Sequence, residues 1–357
     1  GVGLGRGRIE HPARLGLDAH RLQRISSWMR RYVDEGKLPF ALVMLARRDR
    51  VAFLDYYGHR DIALSAPIEA DTIARIYSMT KPITTVAALM LYEQGLFQLD
   101  DAVSKYLPEL GKLQVFVGGD AANPQTTPSS HDFTVRELMT HTAGLTYGFI
   151  GATPVDEIYR RDGIDFNDGD RPLAELITLL GQTPLLCQPG TQWNYSVATD
   201  VLGRLVEVWS GVDLEHYLRE NIIAPLGMHD TGFHVPAAKH DRFAASYRRN
   251  SAGTLAQVES SLGGRFTRPA VTFSGGGGLV STAEDYMRFA RMLMRGGELD
   301  GVRLLGNKTV ALMTSNHLSG DMAAMGQPRF SESNYEGIGF GLGVSVTLDP
   351  ARAQILG

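Results

Sequence analysis

Ser78-Met79-Thr80-Lys81-Pro82 sets a hydroxyl and an amine three residues apart where a helix is expected to open. Apolar residues recur at helical spacing through Val86, Leu89, Met90 and Tyr92, and Gly95 marks the exit. Pro82 fits only in the first turn, where its missing N–H has no helical partner, so the start lies close to Ser78. Positions i and i+3 share a face, so Ser78 and Lys81 point at one small volume near the positive end of the helix dipole. A serine hydroxyl is a weak nucleophile near neutral pH, and a desolvated lysine of lowered pKa is a base that activates it. Four letters also describe a helix cap beside a surface lysine, so the flanking chain must decide.

Outward from this stretch, two kinds of organisation alternate. Asp18 is placed to cap a helix carrying Leu22, Ile25, Trp28, Met29 and Val33, with Gly36 at its exit. Phe40 to Leu45 and Val51 to Tyr57 read as strands joined by the charged turn Arg47 to Arg50. From Leu99 to about Arg265 short helices and polar loops are expected, including a capping box at Thr134-Val135-Arg136-Glu137 and a helix over Val197 to Trp209. Arg161 to Arg171 and Ser251 to Pro269 read as loops long enough to cover a site. Past Pro269, the run Gly275 to Gly278 leads into Leu279-Val280, and Ser281-Thr282 opens another helix. Ile338 to Thr347 alternates glycine with apolar residues, as a strand does where another backbone approaches closely. The expectation is an α/β (α+β) fold: an antiparallel sheet flanked by helices, built from residues 1–98 and 266–357, with a mainly helical domain over 99–265.

Composition narrows the function. A length of 357 residues suits two lobes, and 43% hydrophobic with 21% charged residues is an ordinary globular balance. A net charge of −4 gives nucleic acid or an anionic membrane no electrostatic hold, and no apolar run approaches the roughly 20 residues that span a bilayer. The single cysteine, Cys187, excludes an intrachain disulfide. The start, Gly1 to Arg8, lacks the apolar core of a secretion signal, and a cytoplasmic location is expected.

Other candidate residues have plainer readings beside the functional one. Tyr195, just ahead of the Val197 helix, is either a packed aromatic or a proton relay beside the Ser–Lys pair. His141 reads as a structural hydrogen-bonding residue, because no Gly-x-Ser-x-Gly elbow accompanies it. Asp165-Phe166-Asn167-Asp168-Gly169-Asp170 has its glycine one place early for a calcium loop and reads as a turn. No paired Cys-x-x-Cys or His-Glu-x-x-His occurs. The glycine-rich runs Gly1 to Gly5 and Gly339 to Gly343 lack the spacing and following helix that cradle a dinucleotide.

Taken in order, five stretches resemble the serine β-lactamase and penicillin-binding-protein superfamily, nearest to the branch of class C β-lactamases and family VIII carboxylesterases. They are Ile76 to Pro82, Leu138 to Leu145, Pro189-Gly190 through Tyr195-Ser196, Pro225-Leu226-Gly227-Met228, and Gly275 to Asp285. The resemblance implies that Ser78 is acylated and that Lys81 and Tyr195 share the roles of base and acid. It also implies that the backbone N–H of Ser78 is one oxyanion donor. Penicillin-recognising members carry Asn two places after the tyrosine to contact a substrate amide. Val197 stands there instead and points to an apolar group of an ester. Relatives also carry a third motif on a later strand, which supplies the second oxyanion donor. That donor is missing from this chain, and a longer chain is expected. The implied function is a carboxylesterase acting on short-chain esters, with no metal or organic cofactor. A small-molecule ester is the expected partner, and the oligomeric state stays open. The alternatives are a β-lactamase or D-alanyl-D-alanine peptidase, or a catalytically silent binding protein on the same scaffold.

Overall fold

The computed structural model describes residues 9–167, 169–326 and 333–354. The Gly1 to Gly5 run and Asp168 of the calcium-like segment lie outside the described residues. The chain forms two compact units, one from residues up to 76 with 223–270 and 279–302, the other from 77–222, 271–278 and 303 onward. These cuts fall elsewhere than the expected boundaries at 98/99 and 265/266, and they group the Ser78 helix with the central helices.

In the first unit, Asp18 caps helix Ala19–Asp34 by accepting from the backbone N–H of His20 at 2.9 Å and of Arg21 at 3.2 Å. Phe40–Arg47 and Arg50–Asp61 pair as an antiparallel hairpin, and Ala66–Pro67 adds a short third strand. The charged turn is tighter than expected: only Arg48 and Asp49 lie outside the strands, both left-handed at φ 51° and 62°, a two-residue turn that matches strand twist. Asp49 also accepts from Arg291 Nε at 2.6 Å and Arg295 Nη1 at 2.9 Å, tying helix Ala283–Met294 and its C-terminal end to the hairpin. Ala74–Arg75 pairs with Val280–Ser281, and Ile73, Val235, Phe243, Phe266 and Val280 form a buried cluster beside them.

The Ser251 to Pro269 loop expectation is corrected here. Leu255–Glu259 is a strand paired with Ser246–Arg249. Asn250 closes the turn between them by accepting from the N–H groups of Ala252 and Thr254. The strand is mostly exposed, so its sequence carried no hydrophobic alternation.

The second unit is built on helix Thr80–Glu93, in which Val86, Ala87, Ala88 and Leu89 are wholly buried, and on helix Ala198–Ser210 packed against it. The Thr134–Glu137 capping box opens helix Val135–Met139. A hairpin of Gln114–Gly119 with Pro124–Pro128 stands within the stretch expected to be helices and loops. Ile338 to Thr347 is two short strands, Ile338–Phe340 and Ser345–Thr347, rather than one. Gly343 takes φ 74° and the Gly341 N–H meets the Val344 carbonyl at 2.7 Å, which folds the segment back on itself. The close approach was legible, since a Cβ on Gly341 would lie 2.2 Å from the Met313 carbonyl oxygen. Among the described residues, no helix is long and apolar enough to cross a membrane.

Candidate active site

Ser78 sits in a tight turn, Tyr77–Met79, that runs directly into helix Thr80–Glu93. The helix N-cap is Met79 and takes no side-chain cap bond, so the Ser78 hydroxyl is not spent on capping. Tyr77 adopts left-handed backbone, φ 43°, a conformation costing about 1 kcal/mol or more in a non-glycine residue. The surface-lysine reading of Lys81 fails as well, because the residue is only 5% exposed.

Tyr195 arrives from another part of the same unit on a loop stitched to the 141–146 segment. Asn194 N–H meets the His141 carbonyl at 2.8 Å, Asn194 Nδ2 the Leu145 carbonyl at 2.9 Å, and Val197 N–H the Thr146 carbonyl at 3.2 Å. His141 is buried, and its Nδ1 lies 3.0 Å from Ser196 Oγ, which also accepts from the Ala198 N–H. The contact between His141 and Ser196 helps to fix the loop beside Tyr195, a structural role for the histidine.

These supports bring the three expected residues together. Ser78 Oγ and Tyr195 OH share a short hydrogen bond. Lys81 Nζ lies 3.2 Å from Ser78 Oγ and 2.8 Å from Tyr195 OH. Two further partners were not foreseen: Tyr147 OH and the Gly276 carbonyl, each 2.8 Å from Lys81 Nζ. Four oxygens thus surround a nitrogen that carries at most three hydrogens. The Gly276 carbonyl can only accept. Of the three hydroxyls, one can therefore give its proton to the lysine once the amine is neutral, which suits a group that both takes and returns protons.

The glycine run explains how the Gly276 carbonyl gets so close. It passes helices Thr80–Glu93 and Ala198–Ser210, and a Cβ on Gly275 would fall 2.8 Å from the Thr199 carbonyl oxygen. A Cβ on Gly276 would fall 2.6 Å from Asp200 Oδ2, and one on Gly277 2.5 Å from Asn167 Oδ1. The glycines are visible in the sequence; what they let approach is not.

Electrostatics assign protonation states. Burial lowers the Lys81 amine to about 8, against an opposing pull from the Asp200 carboxylate. Burial raises Tyr195, and raises Tyr147 further above its ordinary range. Burial, with the Lys81 charge beside it, pulls His141 down to about 3. Near neutrality both tyrosines are phenols and the histidine is uncharged, leaving Lys81 as the group poised to change state.

Val197 is buried and lines a cavity of about 400 Å³ together with Tyr147, Phe149, Tyr159, Ile164 and Phe166. Tyr147 belongs to both cavity and site: its hydroxyl faces Lys81 and its ring stacks on Phe149 at 4.6 Å. Trp193 and Phe340 pack beside Tyr195 in an apolar cluster with Met322.

The β-lactamase family model matches residues 25–351. The chain belongs to the β-lactamase family. The monacolin J acid methylbutanoyltransferase of Aspergillus terreus is 33% identical over 297 residues, covering 80% of this chain and 68% of that one. The esterase EstB of Burkholderia gladioli is 32% identical over 295 residues, covering 78% and 71%. The solved structure of EstCE1, a hydrolase with promiscuous acyltransferase activity, superposes with a TM-score of 0.76 at 29% identity, covering 93% of this chain and 84% of that one. The fold is thus the β-lactamase/transpeptidase type, helices mixed with small antiparallel sheets. With esterase and acyltransferase relatives on both sides, the chain stands among the serine hydrolases of this family.

Proposed function

We propose that this chain is a carboxylesterase that cleaves short-chain esters through an acyl-Ser78 intermediate. The observation that carries this reading is the closed set of hydrogen bonds joining Ser78 Oγ, Tyr195 OH and Lys81 Nζ. The Ser78 oxygen bonds to the ester carbonyl carbon while its proton passes to neutral Lys81, directly or with Tyr195 as relay. The Tyr195 hydroxyl then protonates the departing alkoxide and recovers a proton from the Lys81 ammonium, so the alcohol leaves neutral and the amine is neutral again. Water enters, passes a proton through Tyr195 to Lys81 and attacks the acyl carbon; the bond to Ser78 Oγ breaks, and that proton returns to the oxygen, restoring the serine hydroxyl and the neutral amine. The Ser78 backbone N–H, at the opening of its helix, is one donor to the oxyanion. These steps draw on no metal or organic cofactor.

Val197 supports an ester over a β-lactam. Its side chain offers no hydrogen bond to an amide, and the cavity it lines is walled largely by aromatic and aliphatic groups that suit the apolar part of an ester. The likeness to EstCE1 and to the methylbutanoyltransferase favours a second reading, in which an alcohol instead of water receives the acyl group.

The test is turnover of p-nitrophenyl butyrate with mass spectrometry of the Ser78 peptide. Wild-type protein should hydrolyse the ester and carry a butyryl group on that peptide, and Ser78→Ala should do neither. Hydrolysis retained by Ser78→Ala refutes the nucleophile. A chromogenic cephalosporin turned over much faster than the ester would favour the β-lactamase alternative. Ester product formed in preference to acid when an alcohol is added would favour transfer.

A further inference from the structure

Asp200, on the first turn of helix Ala198–Ser210, is completely buried, and the reaction proposed above makes no use of it. We infer that Asp200 is a positioning residue that holds the Ser274–Gly276 segment against Lys81 and supplies the fixed negative charge facing the Lys81 ammonium. The inference rests on the acyl-Ser78 reading.

Three observations lead there. Asp200 Oδ1 accepts from Ser274 Oγ at 2.5 Å and from the Gly276 N–H at 3.0 Å. The carbonyl of that same Gly276 accepts from Lys81 Nζ at 2.8 Å. One residue thus has its N–H held by the aspartate and its C=O held by the lysine, and its orientation is set by both. The fit is close, since any Cβ on Gly276 would collide with the carboxylate.

The second oxygen argues for the charge. Asp200 Oδ2 is buried and meets no hydrogen-bond donor among the described residues. A carboxylate with a bare oxygen is costly to bury unless a cation compensates it. Lys81 is the cation in electrostatic reach: it favours ionised Asp200 against burial, and Asp200 favours protonated Lys81 against burial. The other titratable groups facing this pair do not take that place. Tyr147 and Tyr195 are neutral phenols and His141 is uncharged. Asp165 is a second carboxylate that opposes ionisation of Asp200. The Oδ1 oxygen therefore orients the peptide, and the carboxylate's charge sets how readily Lys81 gives up its proton.

Asp200→Asn separates the two contributions. The asparagine oxygen can accept both existing bonds, so the shape is kept and the charge removed. The measurement is the pH dependence of kcat/KM for p-nitrophenyl butyrate, with the pH dependence of Ser78 labelling by a fluorophosphonate alongside. Wild-type rates should fall below a limb near pH 8, where Lys81 becomes protonated. In Asp200→Asn the limb should move down by about one pH unit, the lesser end of what a nearby opposite charge contributes, with the melting temperature little changed. A limb at the wild-type position in folded Asp200→Asn overturns the inference. If that variant does not fold, Ser274→Ala decides: without that donor the buried Asp200 carboxyl holds its proton more readily, less negative charge faces Lys81, and the limb should move the same way by less. An unmoved limb there overturns the inference too. A wild-type Ser78 that the fluorophosphonate never labels refutes the acyl-Ser78 reading itself, and the role of Asp200 falls with it.

Discussion

Gly276→Ala tests whether the carbonyl on Lys81 depends on the absence of a side chain. The added Cβ would lie 2.6 Å from Asp200 Oδ2, 3.0 Å from its Cγ and 3.2 Å from Oδ1. Comfortable packing begins near 3.5 Å, so the carboxylate or the glycine backbone must retreat by up to about 1 Å. Asp200 has no room, being wholly buried at the start of a helix. Gly276 must move instead, and its carbonyl moves with it. Gly276 is not in the left-handed region, so the penalty is steric and not conformational. Overpacking of this kind costs about 1–3 kcal/mol, and the stiffer unfolded chain offsets about 0.4–1 kcal/mol of that. The net expectation is a loss of about 1–2 kcal/mol, a few degrees in melting temperature for a chain of this size. Activity should suffer more, because a displacement of about 1 Å near reacting groups costs on the order of a hundredfold. The assay pairs thermal unfolding with kcat on p-nitrophenyl butyrate, using Gly263→Ala as control, since nothing lies within 4 Å of a Cβ there. A Gly276→Ala variant with kcat within twofold of wild type would refute the reasoning.

Two further expectations follow from other parts of the structure. Tyr195→Phe removes the hydroxyl that meets both Ser78 and Lys81; kcat should fall about 10²–10⁴-fold, as for loss of a general acid–base, and a loss below tenfold would exclude Tyr195 as the relay. Asp49→Asn removes the ion pairs to Arg291 and Arg295, whose hydrogen bonds and charges hold the Asp49 carboxyl below its usual range. A depressed carboxylate stabilises the fold above the unfolded value near pH 4 and stops doing so as pH falls through the folded one. The variant should therefore be less stable than wild type by about 1 kcal/mol or less at pH 7, with the gap closing toward pH 3. Urea midpoints at the two pH values measure it, and a gap that widens in acid contradicts the sign.

Local spacing made part of this site readable. Ser78 and Lys81 are three residues apart on one turn, so any helix beginning there brings them together. Pro82 bounded where that helix begins. The Asp18 cap and the Thr134 capping box were legible for the same reason, each being a contact within four residues. The exposed strand Leu255–Glu259 was not, because a strand without a buried face leaves no period-two pattern.

What the chain determined by itself was the pair and its neighbours in order, because helical geometry converts spacing directly into proximity. What tertiary structure decided was the surroundings of the pair. Tyr147 lies 66 residues from Lys81 and Gly276 lies 195 away, and nothing in a lone tyrosine or a glycine run names its partner. Nothing in the spacing around Asp200 marks it out in the sequence. Only the packing that strips it of water and sets it against Gly276 turns it into a charge Lys81 must answer.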